Sequence, residues 1–389
     1  MPYSTRKEVP RKPTKPYPDF PLFPHATGRW AKKIRGKLHY FGAWDDPEAA
    51  LGRYLDQKDD LHAGRAPRKA ADGVTVRDLL NRFLTAKQAM VDTGEIAPRT
   101  FRDYHATCKT IGDAFGFNPI VEDLASSDFE QLRRKLAKNR GPVALGNEIQ
   151  RIRVVFKYAY DAGLIDRPIR YGPTFKRPSK RVLRKERNAR GPKMFEADEI
   201  RSMLDAAGVK LKAMILLGVN CGFGNTDCAT LPKKAVDLEG GWIDYARPKT
   251  GIHRRCPLWP ETVAALRIVI DNRPKPKDKA HDGLVFITKY GKSWSKDTGD
   301  NPISKETAKI LASLGVQRKG VNFYALRHTF ETIGGASRDQ IAVDEIMGHA
   351  RDDMASVYRE KIGDERLKAV TNHVRRWLFA GRGSPGKGY

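Results

Sequence analysis

The stretch Tyr324-Ala325-Leu326-Arg327-His328, continued by Ile346-Met347-Gly348-His349 and by Val357-Tyr358-Arg359, decides how the whole chain reads. It sets an arginine, a histidine and a late tyrosine in one order near the C-terminus. In a strongly basic chain, those three types point to chemistry on a phosphodiester. The planar fork of an arginine matches two phosphate oxygens. A histidine donates to the same group. A tyrosine hydroxyl can attack phosphorus once something helps it ionise, since its ordinary pKa is about 10.

The charge supports that direction. Lys and Arg number 72 against 46 Asp and Glu, a formal net charge of +26 over 389 residues. Such a field favours a polyanion through counterion release, with nucleic acid first and ribosomal association second. No apolar run is long enough for a transmembrane helix. Met1 to Pro24 is Lys/Pro-rich and lacks the apolar centre of a signal peptide, so the expected location is the cytoplasm. The four cysteines (Cys108, Cys221, Cys228 and Cys256) form no CxxC pair and read as buried reduced thiols. No metal and no cofactor is expected. Gly222-Phe223-Gly224 lacks the Lys-Ser/Thr of a nucleotide loop.

The chain divides by composition. Residues 1–19 place Lys and Arg between prolines and read as a disordered basic arm. In 20–62, apolar Trp30, Ile34, Leu38, Tyr40 and Phe41 flank an Arg35-Gly36 turn, which predicts a β-hairpin. Lys32 and Lys33 lie between those positions as candidate DNA contacts. Asp46-Pro47 then starts a helix through Ala50, Leu51 and Tyr54. Residues 63–73 read as a linker. Over 74–166 the helical period gives four helices, marked by Leu79-Leu80-Phe83, Tyr104-Cys108-Ile111, Phe129 to Leu136, and Ile149 to Ala159. Arg151, Arg153 and Lys157 fall on the polar face of the fourth. Residues 167–193 are basic and proline-interrupted, with Arg181 and Arg184 as phosphate candidates. Read as an extended linker, they would span about 80–90 Å. The last domain, 194–380, alternates helices with three short strands near 235–258, and 381–389 is a Gly-rich tail expected to be disordered.

These motifs resemble the signature of the tyrosine recombinases, the phage integrase family. Leu326-Arg327-His328-Thr329-Phe330 matches that family's second box, and Met347-Gly348-His349 its Leu-Gly-His motif. Tyr358 follows His349 by nine positions, the family's spacing to its nucleophile. The resemblance implies a mainly α fold with small β-sheets. It implies a ββα-like arm module, a helical (SAM-like) core-binding domain and a mixed α/β catalytic domain. It also implies roles: Tyr358 as nucleophile, Arg327, His349 and Tyr324 around the phosphate, and Lys249 as the acid for the leaving 5′ oxygen. Lys249 sits in a Lys-Thr-Gly turn between two predicted strands.

Two positions depart from the family's pattern. Gly224 stands where the first box has arginine, with the carboxylate of Asp227 three residues on. Tyr324 stands where the second box usually has histidine. Arg254, Arg255 or the neutral donor Asn225 could substitute for the missing arginine. The implied activity is site-specific cutting and rejoining of double-stranded DNA through a 3′-phosphotyrosyl intermediate, by a homo-tetramer. The alternative is a DNA-binding protein on the same fold that has lost cleavage with its first arginine. A nicking-closing, topoisomerase-like monomer is a third reading, disfavoured by the arm module. The amphipathic segment after Leu367 fits docking on a neighbouring protomer or packing on its own domain.

Overall fold

A computed structural model describes residues 12–64, 73–296, 301–349 and 361–380. Tyr358, most of the basic arm and the Gly-rich tail lie outside the described residues. The chain divides into two compact units, Met1–Glu186 and Arg187–Tyr389.

In the first unit, β2 (Arg29–Ile34) and β3 (Lys37–Ala43) form the expected antiparallel hairpin. Its two-residue turn needs positive φ at both positions, and Arg35 (48°) and Gly36 (81°) supply it. A third strand, β1 (Phe23–His25), pairs along the outer edge of β2. Three residues are too short for a period-of-two pattern, so the module is βββα where the sequence predicted ββα. Helix α1 (Pro47–Ala63) starts where Asp46 accepts a hydrogen bond from the Ala49 amide. It covers one sheet face, burying Trp30, Ile34, Phe41, Ala50 and Tyr54.

The four predicted helices follow as α2 (Val76–Asp92), α3 (Pro98–Phe115), α4 (Ser126–Asn139) and α5 (Pro142–Asp161). Thr75 and Asp78 close α2 with a reciprocal capping box. Phe83, Ile111, Phe129, Ile149 and Phe156 centre the bundle core.

The expectation of an extended linker over 167–193 is overturned. Phe175 is fully buried in that core, with Ile169 and Tyr171 packed against it. Tyr171 stacks on Phe175 and presents its edge to Phe129. Lys180–Arg190 then forms α6, which has no buried residue. The prolines that argued against a helix lie outside 180–190, at 168, 173, 178 and 192. Three apolar side chains anchor the first half, and no proline interrupts the second.

The second unit begins with α7 (Ala197–Ala206), α8 (Val209–Asn220) and the short α9 (Asn225–Ala229). An antiparallel sheet follows, β4 (Val236–Asp237), β5 (Trp242–Asp244) and β6 (Arg255–Pro257), in sequential order. Then come α10 (Pro260–Asp271), α11 (Pro302–Ser313), α12 (Ala325–Gly335), α13 (Gln340–Met347) and α14 (Asp364–Phe379). Helix α8 is apolar almost all round and buries nine consecutive or near-consecutive residues from Leu211 to Asn220. That places it at the centre of the unit, with α10 and α12 against it.

Helix α14 packs on its own unit. Leu367, Val370, Val374 and Leu378 are buried, and Trp259 Nε1 donates to the Thr371 carbonyl at 3.0 Å. Arg375 pairs with Glu261 at 2.6 Å, and Arg366 with Asp339 at 2.7 Å.

Candidate active site

Arg327 lies in the first turn of α12, which turns its side chain inward against α8 and α13. It is 3% exposed. Its Nη1 donates to the Gly222 carbonyl at 2.6 Å, and its Nη2 to the Met347 carbonyl at 2.8 Å. The same Nη2 lies 2.8 Å from His349 Nε2. A guanidinium only donates, so Nε2 is the acceptor. Burial and the neighbouring Arg247 lower the Arg327 pKa to about 10, which leaves it charged at neutral pH.

His349 follows the C-cap of α13. Gly348 there has φ 62°, the left-handed conformation that ends many helices. A side chain at Gly348 would also meet Arg254 Cδ at 2.7 Å and Arg247 Cβ at 3.2 Å. Backbone conformation and crowding both require glycine in the Gly-His motif. Burial, then the charge of Arg327, lowers the His349 pKa below its ordinary value. The free ring is therefore neutral near pH 7.

Tyr324 caps the start of α12 and is 46% exposed. Its ring lies against Gly224. A β-carbon added there would meet Tyr324 Cε2 at 3.0 Å and Cδ2 at 3.2 Å. The space left by the missing first-box side chain is thus occupied by the phenol ring. Asp227 folds back to accept from the Gly224 amide at 2.7 Å. Arg254 Nη2 lies 3.1 Å from the other oxygen of Asp227, an ion contact without hydrogen-bond alignment.

Arg254 is 1% exposed, with its guanidinium 4.4 Å from the Phe223 ring centroid. Its Nε donates to the Tyr245 carbonyl at 3.0 Å, and its Nη1 has no hydrogen-bond partner among the described residues. The other two proposed substitutes are committed elsewhere. Arg255 points to the opposite face of the strand, binding Asp364 at 3.0 Å and Asp244 at 2.6 Å and stacking on Trp242. Asn225 donates to Asn301 and Ser304 at the start of α11.

Lys249 is exposed on the turn between β5 and β6. The turn closes through Gly251 N donating to the Arg247 carbonyl at 2.8 Å. Arg247 Nη1 in turn donates to the Gly348 carbonyl at 3.3 Å, which ties the turn to the residue before His349. Arg247 was not singled out in the sequence, although it opens the Arg-Pro-Lys-Thr-Gly run. Glu331 and Asp344 were missed as well. Their carboxylates each lie 3.5 Å from His349 Nδ1.

The candidates of the first unit divide. Arg151 pairs with Asp103 at 2.9 Å and Glu148 at 3.3 Å, and Lys157 with Asp161 at 2.5 Å. Arg153 donates to the Phe175 carbonyl and lies over the Tyr171 ring. Lys32 covers the Tyr54 ring, at 4.6 Å from its centroid, while Lys33 is exposed. Arg181 and Arg184 are exposed on α6.

Residues 193–363, a span that contains this cluster, match the model of the phage integrase family. Over that span the chain is similar to the family. It is 28% identical over 211 residues to the tyrosine recombinase XerD of Caulobacter vibrioides, covering 50% of this chain and 67% of that protein. It is 25% identical over 231 residues to the tyrosine recombinase XerC of Pelotomaculum thermopropionicum, covering 56% and 70%. A lambda integrase dimer bound to a COC′ core site shares the fold with TM-score 0.57 at 16% identity, over 75% of this chain and 100% of that one. The Tn1549 transposon integrase in complex with a circular intermediate DNA does so with TM-score 0.57 at 18% identity, over 77% and 99%. The fold class read from the sequence, mainly helical with small antiparallel sheets, is that of these integrases.

Proposed function

We propose that this chain is a site-specific recombinase that cuts and rejoins double-stranded DNA through a 3′-phosphotyrosyl bond on Tyr358. The convergence of Arg327, His349 and Arg247 on one spot carries the reading. Two guanidiniums and an imidazole gathered there are the groups a doubly charged oxyanion needs. In this reading Arg327 holds the non-bridging oxygens, His349 donates beside it, and Tyr324 adds a phenolic donor. Lys249 protonates the leaving 5′ oxygen from its exposed turn. Because the phosphotyrosyl ester conserves the bond energy, the chemistry requires no nucleotide cofactor.

Loss of the first-box arginine removes one preorganised donor, an interaction worth about 10²–10³ in rate at such sites. Arg254 compensates in part by placing a buried positive charge beside Asp227. Exposed Arg181, Arg184 and Lys33 contribute duplex contacts. Strand exchange between two duplexes uses four active sites, which makes the working assembly a homo-tetramer on DNA.

The binding-only reading rests on Gly224 itself, since no exposed cation occupies its place among the described residues. A pool of nicked duplexes with randomised centres separates the two. Wild type is expected to give a detergent-resistant covalent adduct. Tyr358→Phe should abolish it, and Arg327→Ala should reduce its rate at least about 100-fold. Duplex binding without any adduct from the wild type would leave only the binding reading.

A further inference from the structure

The mechanism above leaves two carboxylates unused. Glu331 is one helical turn after Arg327 on α12, which places both side chains on one face. Asp344 lies on α13, one turn before Gly348. Both aim an oxygen at His349 Nδ1, at 3.5 Å each. Gln340 Nε2 donates to Glu331 Oε1 at 2.8 Å and to Asp344 Oδ1 at 3.1 Å, so a single amide clasps the two acids together. Glu331 Oε2 is buried and has no hydrogen-bond partner among the described residues. The histidine sits between this acidic pair and the guanidinium of Arg327.

We propose that Glu331 and Asp344 are positioning residues that hold His349 with Nδ1–H turned to the carboxylates and Nε2 turned to the phosphate site, so that the ring takes up a proton there when an oxyanion binds. This rests on the recombinase reading of the site, but its first half concerns the free protein alone. The tautomer follows from donor logic. Nε2 accepts from Arg327, so the ring proton of the neutral form is on Nδ1, where only acceptors face it.

When a phosphate arrives, Arg327 Nη2 turns to the anion and Nε2 loses its donor. A proton from solvent then binds Nε2, and the imidazolium is stabilised by the anion on one side and the two carboxylates on the other. Among the described residues, the charged groups acting on this ring are Arg327 and Glu331 of α12, Asp344 of α13 and Arg247 of the β5–β6 turn. The two arginines oppose protonation in the free site. An incoming oxyanion offsets them, and the acids then decide whether the ring charges.

Nitrogen-15 histidine NMR on the full chain, with His349→Gln to assign the ring, tests this directly. The free wild type is expected to show the Nδ1–H tautomer, and orthovanadate as the phosphate probe should convert it to the imidazolium near neutral pH. In Glu331→Gln/Asp344→Asn, which keeps side-chain shape, that conversion should need a pH at least one unit lower. The alkaline-side limb of the adduct-formation profile should move to lower pH with it. An Nε2–H tautomer in the free wild type, or an unchanged conversion in the double variant, would overturn the proposal. A correct tautomer with no adduct at any pH would instead sink the recombinase reading and leave the acid pair standing.

Discussion

Gly224 and Tyr324 are one feature of the site when seen at the scale of single residues. The glycine alone removes an arginine, and the tyrosine alone replaces a histidine. In the folded chain the phenol ring lies where the missing side chain would begin. Either substitution back to the family's residue therefore meets a site shaped by the other. Gly224→Arg is expected to displace the half-exposed Tyr324 ring and leave adduct formation no faster than wild type. Gly224→Arg/Tyr324→His should exceed the product of the two single effects by at least about threefold, in the range of contacting residues in double-mutant cycles. Additive effects on the adduct rate would show that the two positions act separately.

At the scale of elements, buried polar links hold the second unit in register. Asn220, the last residue of α8, is fully buried. It donates to the Pro257 carbonyl at 3.0 Å and accepts from the Trp259 amide and Thr262 Oγ1, both at 2.9 Å. One side chain thus joins the central helix to the end of β6 and the start of α10. Arg254 immediately precedes the same strand. Asn220→Ala removes three buried hydrogen bonds and is expected to cost about 2–4 kcal/mol, read as a lower midpoint in urea. A midpoint within error of wild type would mean the link is dispensable. Helix α14 belongs to the same layer. Its apolar stripe was visible in the sequence, but docking on the home unit was decided by partners far along the chain, Trp259, Glu261 and Asp339.

For the whole molecule, the hydrophobic clusters divide at the unit boundary. One core spans Phe195 to Leu378, and the others lie within Phe20 to Phe175. Separate cores unfold separately when few contacts couple them. Calorimetry of the full chain is expected to show at least two transitions, one of which reappears in a fragment covering 187–389. A single cooperative transition, absent from the fragment, would show that the units fold as one body. The net charge of +26 belongs to this scale as well. Much of it sits on exposed residues such as those of α6, while Arg151 and Lys157 are paired with acids. A formal charge count does not reveal that pairing.

The sequence by itself determined the fold class and most helix and strand types, because hydrophobic periodicity and short motifs are local properties. It also singled out Arg327 and His349 as candidates by motif and spacing, and Lys249 by its turn between strands. The linker reading failed because a charge run says nothing of three apolar residues within it, and Ile169, Tyr171 and Phe175 decide its packing. Only the tertiary structure could choose Arg254 over Arg255, since adjacent strand residues point to opposite faces and the sheet must be placed before either is known to face the site. Only it could bring Glu331, Gln340 and Asp344 around His349. Those side chains come from two helices, and the turn between them, not the sequence spacing, sets their distances.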